Sequence, residues 1–473
     1  MVDDQNSNDT PLNDPSPDQG PQSSDTGQQS SDPGDEPRVK RRRPVYEPTL
    51  FEEKKRFRVP RQIAIPGLIV VCGILFYFLV IVPKQRHHFD TVGKLVYSGD
   101  LNNSGQTHLF LMNSDGTAIS QLSPGSGSDT VPAFAPDGNQ IAFVSNRDGS
   151  TKQLYVIDPD GTNRLQLTRT VGVKGNPAFA PVDYDTIGFT SAGILETINP
   201  SSGTVETILP VLSKTVQTGT SDAAGAASPT TVDSFVWSPD KTPSLAWWEQ
   251  PVNSILQIFG QSNSPISKQG LAAVEETNGE DQLAIQPTLD GDAITTVGTP
   301  PNTQPIMSAQ KISLAWSPDD KTLAVAVLGF TGYRNMPKFS GILFMDRSTG
   351  HPLLTPPLFG IPNDQVGPQS PAYSPDGTTL VCQVLQQPDI TTTVSQGLGY
   401  AKLDGSIPGR IVISGDIEQP KFSPDGKYLY FIQSVANGVH ALRRADLAAH
   451  TIKNISDPTT DVTSYDVSPQ VKN

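Results

Sequence analysis

VPAFAPDGNQIAFVS at residues 131–145 decides the fold, because it is not alone. The same pattern returns as NPAFAPVDYDTIGFTS at 176–191, SFVWSPDKTPSLAWW at 234–248, SLAWSPDDKTLAVAV at 313–327, SPAYSPDGTTLVCQV at 370–384 and QPKFSPDGKYLYFIQ at 419–433. Each copy is anchored by a proline (Pro136, Pro181, Pro239, Pro318, Pro375, Pro424). An aromatic stands two residues earlier: Phe134, Phe179, Trp237, Trp316, Tyr373 and Phe422. Self-similarity at a period of tens of residues marks repeat architectures and is read before any local signal.

The chemistry of one copy gives its shape. Ser-Pro-Asp-Gly is a tight turn: proline presets φ, aspartate tolerates the third position, and glycine takes the positive φ that re-enters a strand. The run that follows, such as Ile141–Val144 or Leu323–Val327, is apolar on both faces, as a strand covered on both sides must be. Gln153–Ile157 reads as a third strand, Asp158–Thr162 as a turn and Asn163–Thr168 as a fourth strand. Four antiparallel strands per repeat, packed face to face, are propeller blades.

The ends of the repeat region fit each other. Lys94–Tyr97, His108–Met112 and Thr117–Leu122 read as second, third and fourth strands with no first strand before them. VTSYDVSP at 462–469 reads as a first strand with nothing after it. The C-terminal strand thus completes the opening repeat, and the expected fold is an all-β propeller of seven four-stranded blades. With Pro469 as the seventh anchor, spacings between anchoring prolines are 45, 58, 79, 57, 49 and 45, and the 79 places an insertion in the fourth blade.

The motif P-x-[FWY]-S-P-D-G-x-x-[IL]-[AV]-[FY] resembles that of the bacterial TolB-like, WD-repeat-like propeller family, over about residues 93–470. Phe179–Asp183 and Trp237–Lys241 lack its turn glycine. The resemblance implies a propeller outside the cytoplasmic membrane that binds other proteins or acts as a scaffold.

Upstream of the repeats the chain changes character twice. Residues 1–62 lack any apolar period: nine acids and no base up to Glu36, then ten Lys/Arg against three acids. Such a segment buries too little apolar surface to offset its chain entropy and is expected to be a disordered cytoplasmic tail. Ile63 to Pro83, IAIPGLIVVCGILFYFLVIVP, is 21 residues without a charge. At about 1.5 Å per residue it matches the ~30 Å hydrocarbon core, so it is expected to be a transmembrane helix in contact with lipid. Residues 43–62 carry six Lys/Arg and residues 84–103 carry three, which puts the N-terminus inside and the propeller outside. Residues 84–92 are read as a juxtamembrane linker and 93–470 as the propeller.

Composition excludes several functions. Net charge is −14, unlike the basic footprint of a nucleic-acid binder. The two cysteines, Cys72 and Cys382, lie in the apolar span and in a repeat strand. Walker, dinucleotide, G-x-S-x-G and H-E-x-x-H signatures are absent, so no catalytic residue, metal site or cofactor is expected. Asp158-x-Asp160-Gly161 is read as turn chemistry rather than a calcium loop. Long segments at 210–233, 261–311, 328–340, 356–370 and 385–397 all fall on the face opposite the Ser-Pro-Asp-Gly turns. The richest is 328–338, where Phe330, Tyr333, Arg334 and Lys338 are the candidate binding residues, since aromatics and arginine dominate hot spots. Two classes stay open: a membrane-tethered module that binds a protein or acts as a scaffold outside the membrane; and, as the alternative, a propeller enzyme (lyase, lactonase or glycan-acting) with acids converging on the channel, or a sensor of an extracytoplasmic ligand. Inner strands that start on Pro, Ala, Phe, Val, Ser and Leu favour the first.

Overall fold

The computed structural model describes residues 89, 91, 93–149, 151–181, 185–209, 231–239, 271–277, 280–286, 294–295, 308–330, 339–347, 352–353, 358–361, 366–386, 394–435 and 438–469. They belong to one compact unit, Leu79–Asn473. The expected tail 1–62, the expected span Ile63 to Pro83, and Tyr333, Arg334 and Lys338 lie outside the described residues. Among the described residues no helix is long and apolar enough to cross a membrane.

The described strands form seven antiparallel sheets. The first holds β1 (Lys94–Leu101), β2 (Thr107–Asn113) and β3 (Ser120–Gln121). The second holds β4 (Asp129–Phe134), β5 (Ile141–Ser145), β6 (Gln153–Ile157) and β7 (Leu165–Gln166). The third holds β8 (Lys174–Phe179), β9 (Ile187–Ser191), β10 (Ile194–Ile198) and β11 (Val205–Leu209). The fourth holds β12 (Thr231–Trp237), β13 (Leu271–Thr277), β14 (Glu280–Gln286) and β15 (Ile294–Thr295), with β16 (Ser308–Ala309) also paired to β14. The fifth holds β17 (Lys311–Trp316), β18 (Thr322–Phe330), β19 (Phe339–Asp346) and β20 (Leu358–Ile361). The sixth holds β21 (Val366–Tyr373), β22 (Thr379–Gln386), β23 (Val394–Lys402) and β24 (Arg410–Ser414). The seventh holds β25 (Ile417–Phe422), β26 (Tyr428–Ser434), β27 (His440–Asp446) and β28 (Thr451–Asn454), and the last strand, β29 (Thr460–Val467), returns to the first sheet as its first strand.

That return pairs Leu95 with Val467, Val96 with Asp466 and Tyr97 with Tyr465. Each pair of successive sheets encloses one buried apolar cluster, and a cluster also joins the seventh sheet to the first. In that closing junction Leu95, Tyr97, Phe110 and Met112 meet Tyr430, Ile432 and Leu442, with Val462 and Tyr465 of β29 between them. Middle strands are therefore apolar on both faces, as in IAFVS of β5, where every residue is buried. The chain is an all-β propeller.

The turns repeat atom by atom. Ser374 and Ser423 hydroxyls lie 2.5 and 2.6 Å from the carboxylates of Asp376 and Asp425 and accept the N–H of Thr379 and Tyr428. Gly377 and Gly426 take φ of 71°. In the fifth sheet Asp320 stands in the glycine position, at φ 58°, and its carboxylate pairs with Arg347. The motif aromatics reach backward: Trp237 Nε1 donates to Ala178 O at 3.0 Å and Trp316 Nε1 to Val236 O at 3.4 Å, each in the preceding sheet.

Three expectations are corrected. In the fourth repeat the strand paired to β12 is β13, with Trp237 opposite Leu271, so the continuous 234–248 repeat does not hold. The intervening residues 240–270 lie outside the described ones. The segment 261–311 is not one long loop, since it contributes β13, β14, β15 and β16. Inner strands also start earlier than the motif suggested, at Asp129, Lys174, Thr231 and Lys311, so charge enters the channel-side strands.

The incoming chain is fastened to the turn face. Phe89 N donates to Asn139 Oδ1 at 2.9 Å, and Thr91 Oγ1 donates to Gly138 O at 3.2 Å. Gly138 is required there: a Cβ would stand 2.1 Å from Thr91 Oγ1.

Candidate functional site

The face opposite the tight turns is where inner strands begin and where second strands hand over to third strands. Its charged groups come from those strand ends. Asp129, at the start of β4, is fully buried and pairs with Arg147, just past the end of β5. A buried pair of this kind is costly to break, because the surviving charge is left without water. Asp281, near the start of β14, accepts the N–H of Ile312 in the next sheet at 2.8 Å. Burial pushes its carboxyl up to about 6, and the nearby Asp233 and Glu276 carboxylates push it the same way. Asp461, on β29, accepts the backbone N–H of His440 at 2.8 Å and lies 2.9 Å from its Nδ1.

Lys174 opens β8 and is almost wholly buried. Its ammonium donates to Ser191 Oγ at 2.9 Å, to Gly172 O at 3.1 Å and to Val171 O at 3.4 Å. Burial holds its pKa below the ordinary lysine value, with Glu196 acting in the opposite direction.

Neighbouring sheets are also stitched through bulges that the sequence reading missed. Val131, Asn176, Ser370 and Gln419 take φ of 53°, 47°, 48° and 50°, and each directly precedes a proline. Strand register shifts at every one of them. A bulge leaves one residue unpaired and re-aims it. Val131 N donates to Ser464 Oγ at 3.1 Å and Ser370 N to Ser313 Oγ at 2.8 Å, in the preceding sheet each time. The first proline of P-x-aromatic was the available signal.

Of the four candidate binding residues, only Phe330 is described: it ends β18 opposite Phe339. Cys382 is buried in the junction of the fifth and sixth sheets, where burial pushes its thiol pKa up. Asp160 behaves as a turn residue, accepting the N–H and hydroxyl of Thr162 at 2.9 and 2.6 Å. Among the described residues no three His, Cys, Asp or Glu side chains are grouped to hold a metal ion.

No family model matches the chain. Dipeptidyl-peptidase 5 of Porphyromonas endodontalis is 37% identical over 83 residues, 17% of this chain and 12% of that protein. A TolB homolog of Chlorobium luteolum is 32% identical over 76 residues, 16% of each. The chain thus spans less than a fifth of the length of these curated relatives in the matched stretches. Among solved structures, TolB from Acinetobacter baumannii is similar with a TM-score of 0.45 at 15% identity, over 87% of this chain and 74% of that one. An oligogalacturonate lyase in complex with manganese is similar at 0.42 and 13%, over 77% and 86%.

Proposed function

We propose that the chain is a membrane-tethered β-propeller of seven blades that acts outside the cytoplasmic membrane as a protein-binding or scaffold module. The observation that carries this is how the long-loop face uses its charge. Asp129 neutralises Arg147, Asp281 caps the next inner strand at Ile312, and Asp461 holds His440. Each acid is committed to a different sheet or junction, which suits a rigid platform better than a convergent catalytic centre. The seven sheets, with a buried cluster at each junction including the closing one, support the blade count.

In this reading Ile63 to Pro83 spans the lipid and the basic residues before it stay inside. Only five residues, 84–88, separate that span from Phe89, and fully extended they reach no more than about 17 Å. Phe89 and Thr91, just after it, are hydrogen-bonded to Asn139 and Gly138 of a tight turn.

The test is protease added to intact cells carrying the full chain with a tag at each end, followed by crosslinking in the same cells. The expected result is loss of the C-terminal tag, survival of the N-terminal tag, and an envelope protein crosslinked to the propeller. A protected C-terminus with an exposed N-terminus overturns the topology, and a propeller that crosslinks to nothing overturns the scaffold reading.

A further inference from the structure

One corner of the long-loop face combines two features that rarely occur together. Val171 is 100% exposed, the highest value of any large hydrophobic described, and Val173 and Ile194 beside it are 59% and 38% exposed. Exposed valines scattered singly need no explanation. These are not scattered: Val171 and Val173 share one loop, and Ile194 opens the strand after the hairpin that the loop leans on. Ala192 N donates to Val173 O at 3.1 Å, and a Cβ on Gly172 would stand 3.0 Å from Ala192 Cβ.

The loop that presents them is also fixed to an unusual degree. Four successive carbonyls are capped. Gln153 Nε2 donates to Thr170 O at 2.9 Å, the buried Lys174 ammonium caps Val171 O and Gly172 O, and Ala192 N caps Val173 O. Burying a lysine is costly, and here its ammonium is spent on holding a loop whose tip is bare aliphatic surface. A loop ordered in advance loses little entropy when something docks on it.

The corner continues onto the fourth sheet, and there it is acidic. Gly193 O accepts from Val232 N at 2.8 Å, and Asn176 Nδ2 donates to Asp233 O at 2.9 Å. Thr231 pairs with Glu276, and Glu276 with Asp281. Asp233 and Glu276 are exposed, and no ion pair to either is seen among the described residues, so this side of the corner carries carboxylates.

We infer that the corner formed by Val171, Val173 and Ile194, with Asp233 and Glu276 alongside, docks a segment of a partner protein that sets an aliphatic side chain next to lysine or arginine. The inference rests on the scaffold reading and gives its partner a chemistry. A second copy of this chain is disfavoured as occupant by its net charge of −14, and an anionic lipid surface by these carboxylates.

The experiment uses the full chain in detergent micelles and a fluorescein-labelled twelve-residue peptide alternating leucine and lysine, read by anisotropy. A leucine–glutamate peptide and empty anionic lipid nanodiscs serve as competitors. Saturable binding of the leucine–lysine peptide is expected, weakened at least tenfold by Val171→Asp with Val173→Asp. A loss of about threefold, with a shallower salt dependence, is expected for Asp233→Asn with Glu276→Gln. Val171→Ser with Val173→Ser provides a milder pair should the aspartates disturb folding, and its binding should fall at least threefold. Unchanged affinity in both valine pairs, equal binding of the glutamate peptide, displacement by nanodiscs, or self-association in place of peptide binding overturns the inference. The crosslink in cells separates the two readings. If it persists in the valine variants, the corner is wrong and the scaffold reading stands; if wild type never forms it, the scaffold reading falls.

Discussion

Tyr465 is the side chain on which ring closure can be measured. It lies in the middle of β29, is 2% exposed, and packs among Tyr97, Tyr430, Ile432 and Leu442. Its hydroxyl stands 2.5 Å from Gln419 O and 2.9 Å from Tyr430 O, both in the seventh sheet, so one proton is shared between two carbonyls across the seam. Burial holds the phenol far from ionisation. Tyr465→Phe keeps the ring and removes the shared proton, which should cost about 1–2 kcal/mol. Tyr465→Ala removes the ring as well. An aromatic-to-alanine change in a core costs about 3–5 kcal/mol, so with the lost hydrogen bond the total is about 5 kcal/mol. At about 2.1 cal/mol/K per residue, a domain of this size has an unfolding entropy near 0.8 kcal/mol/K, and the alanine variant should melt about 6 °C lower. Calorimetry of the purified chain, with size-exclusion chromatography below the transition, is the assay. The alanine variant should also self-associate, because a loosened β29 uncovers the unpaired edge of β1. A melting temperature within about 1 °C of wild type in a monomeric Tyr465→Ala protein would refute the idea that β29 holds the ring shut.

Two further outcomes are expected. Because the carboxyl of Asp281 is raised to about 6 by burial from an ordinary value of 3.8, the folded state binds its proton more tightly than the unfolded state. Its contribution therefore stabilises below about pH 4 and is lost as pH rises through 6; Asp281→Asn, whose amide oxygen can still accept from Ile312, should flatten that slope in urea titrations between pH 4 and 7. In a Cys72→Ser background, Cys382 should react with a thiol reagent only at a rate set by opening of the fifth–sixth junction, and immediate reaction of the native protein would contradict its burial.

What the sequence made legible is what repetition amplifies. The aromatic, the Ser-Pro-Asp-Gly turn and the doubly covered strand recur, so a single reading applied many times. Closure was legible for a different reason: Lys94–Tyr97 lacks a first strand, and 462–469 is nothing but one. What stayed hidden is what occurs once. The partner of β12 is β13, more than thirty residues beyond Trp237, because strand pairing follows burial of Leu271 and Ala273 against the third sheet rather than sequence adjacency. Lys174 was invisible as a structural residue since a lysine opening a strand reads as exposed. The Ser191 hydroxyl and the carbonyls of Val171 and Gly172, all turned toward it, explain its burial.

The bulges carry the consequence for function. The pre-proline residues with positive φ turn an N–H or side chain out of their own ladder onto a neighbouring inner strand: Val131 to Ser464 and Ser370 to Ser313 in the preceding sheet, Asn176 to Asp233 and Gln419 to Thr463 in the following one. β29 is therefore bonded to the second sheet on one flank and the seventh on the other, in addition to β1. Inner strands held at both edges cannot separate without breaking hydrogen bonds to two neighbours at once, so movement at the channel is resisted at those junctions. On the long-loop face the described loop at Val171 is tied down by the buried side chain of Lys174. Recognition by this protein should then come from a fixed surface rather than a closing one, which makes the capped loop at Val171 the place where a partner would meet the least entropic cost.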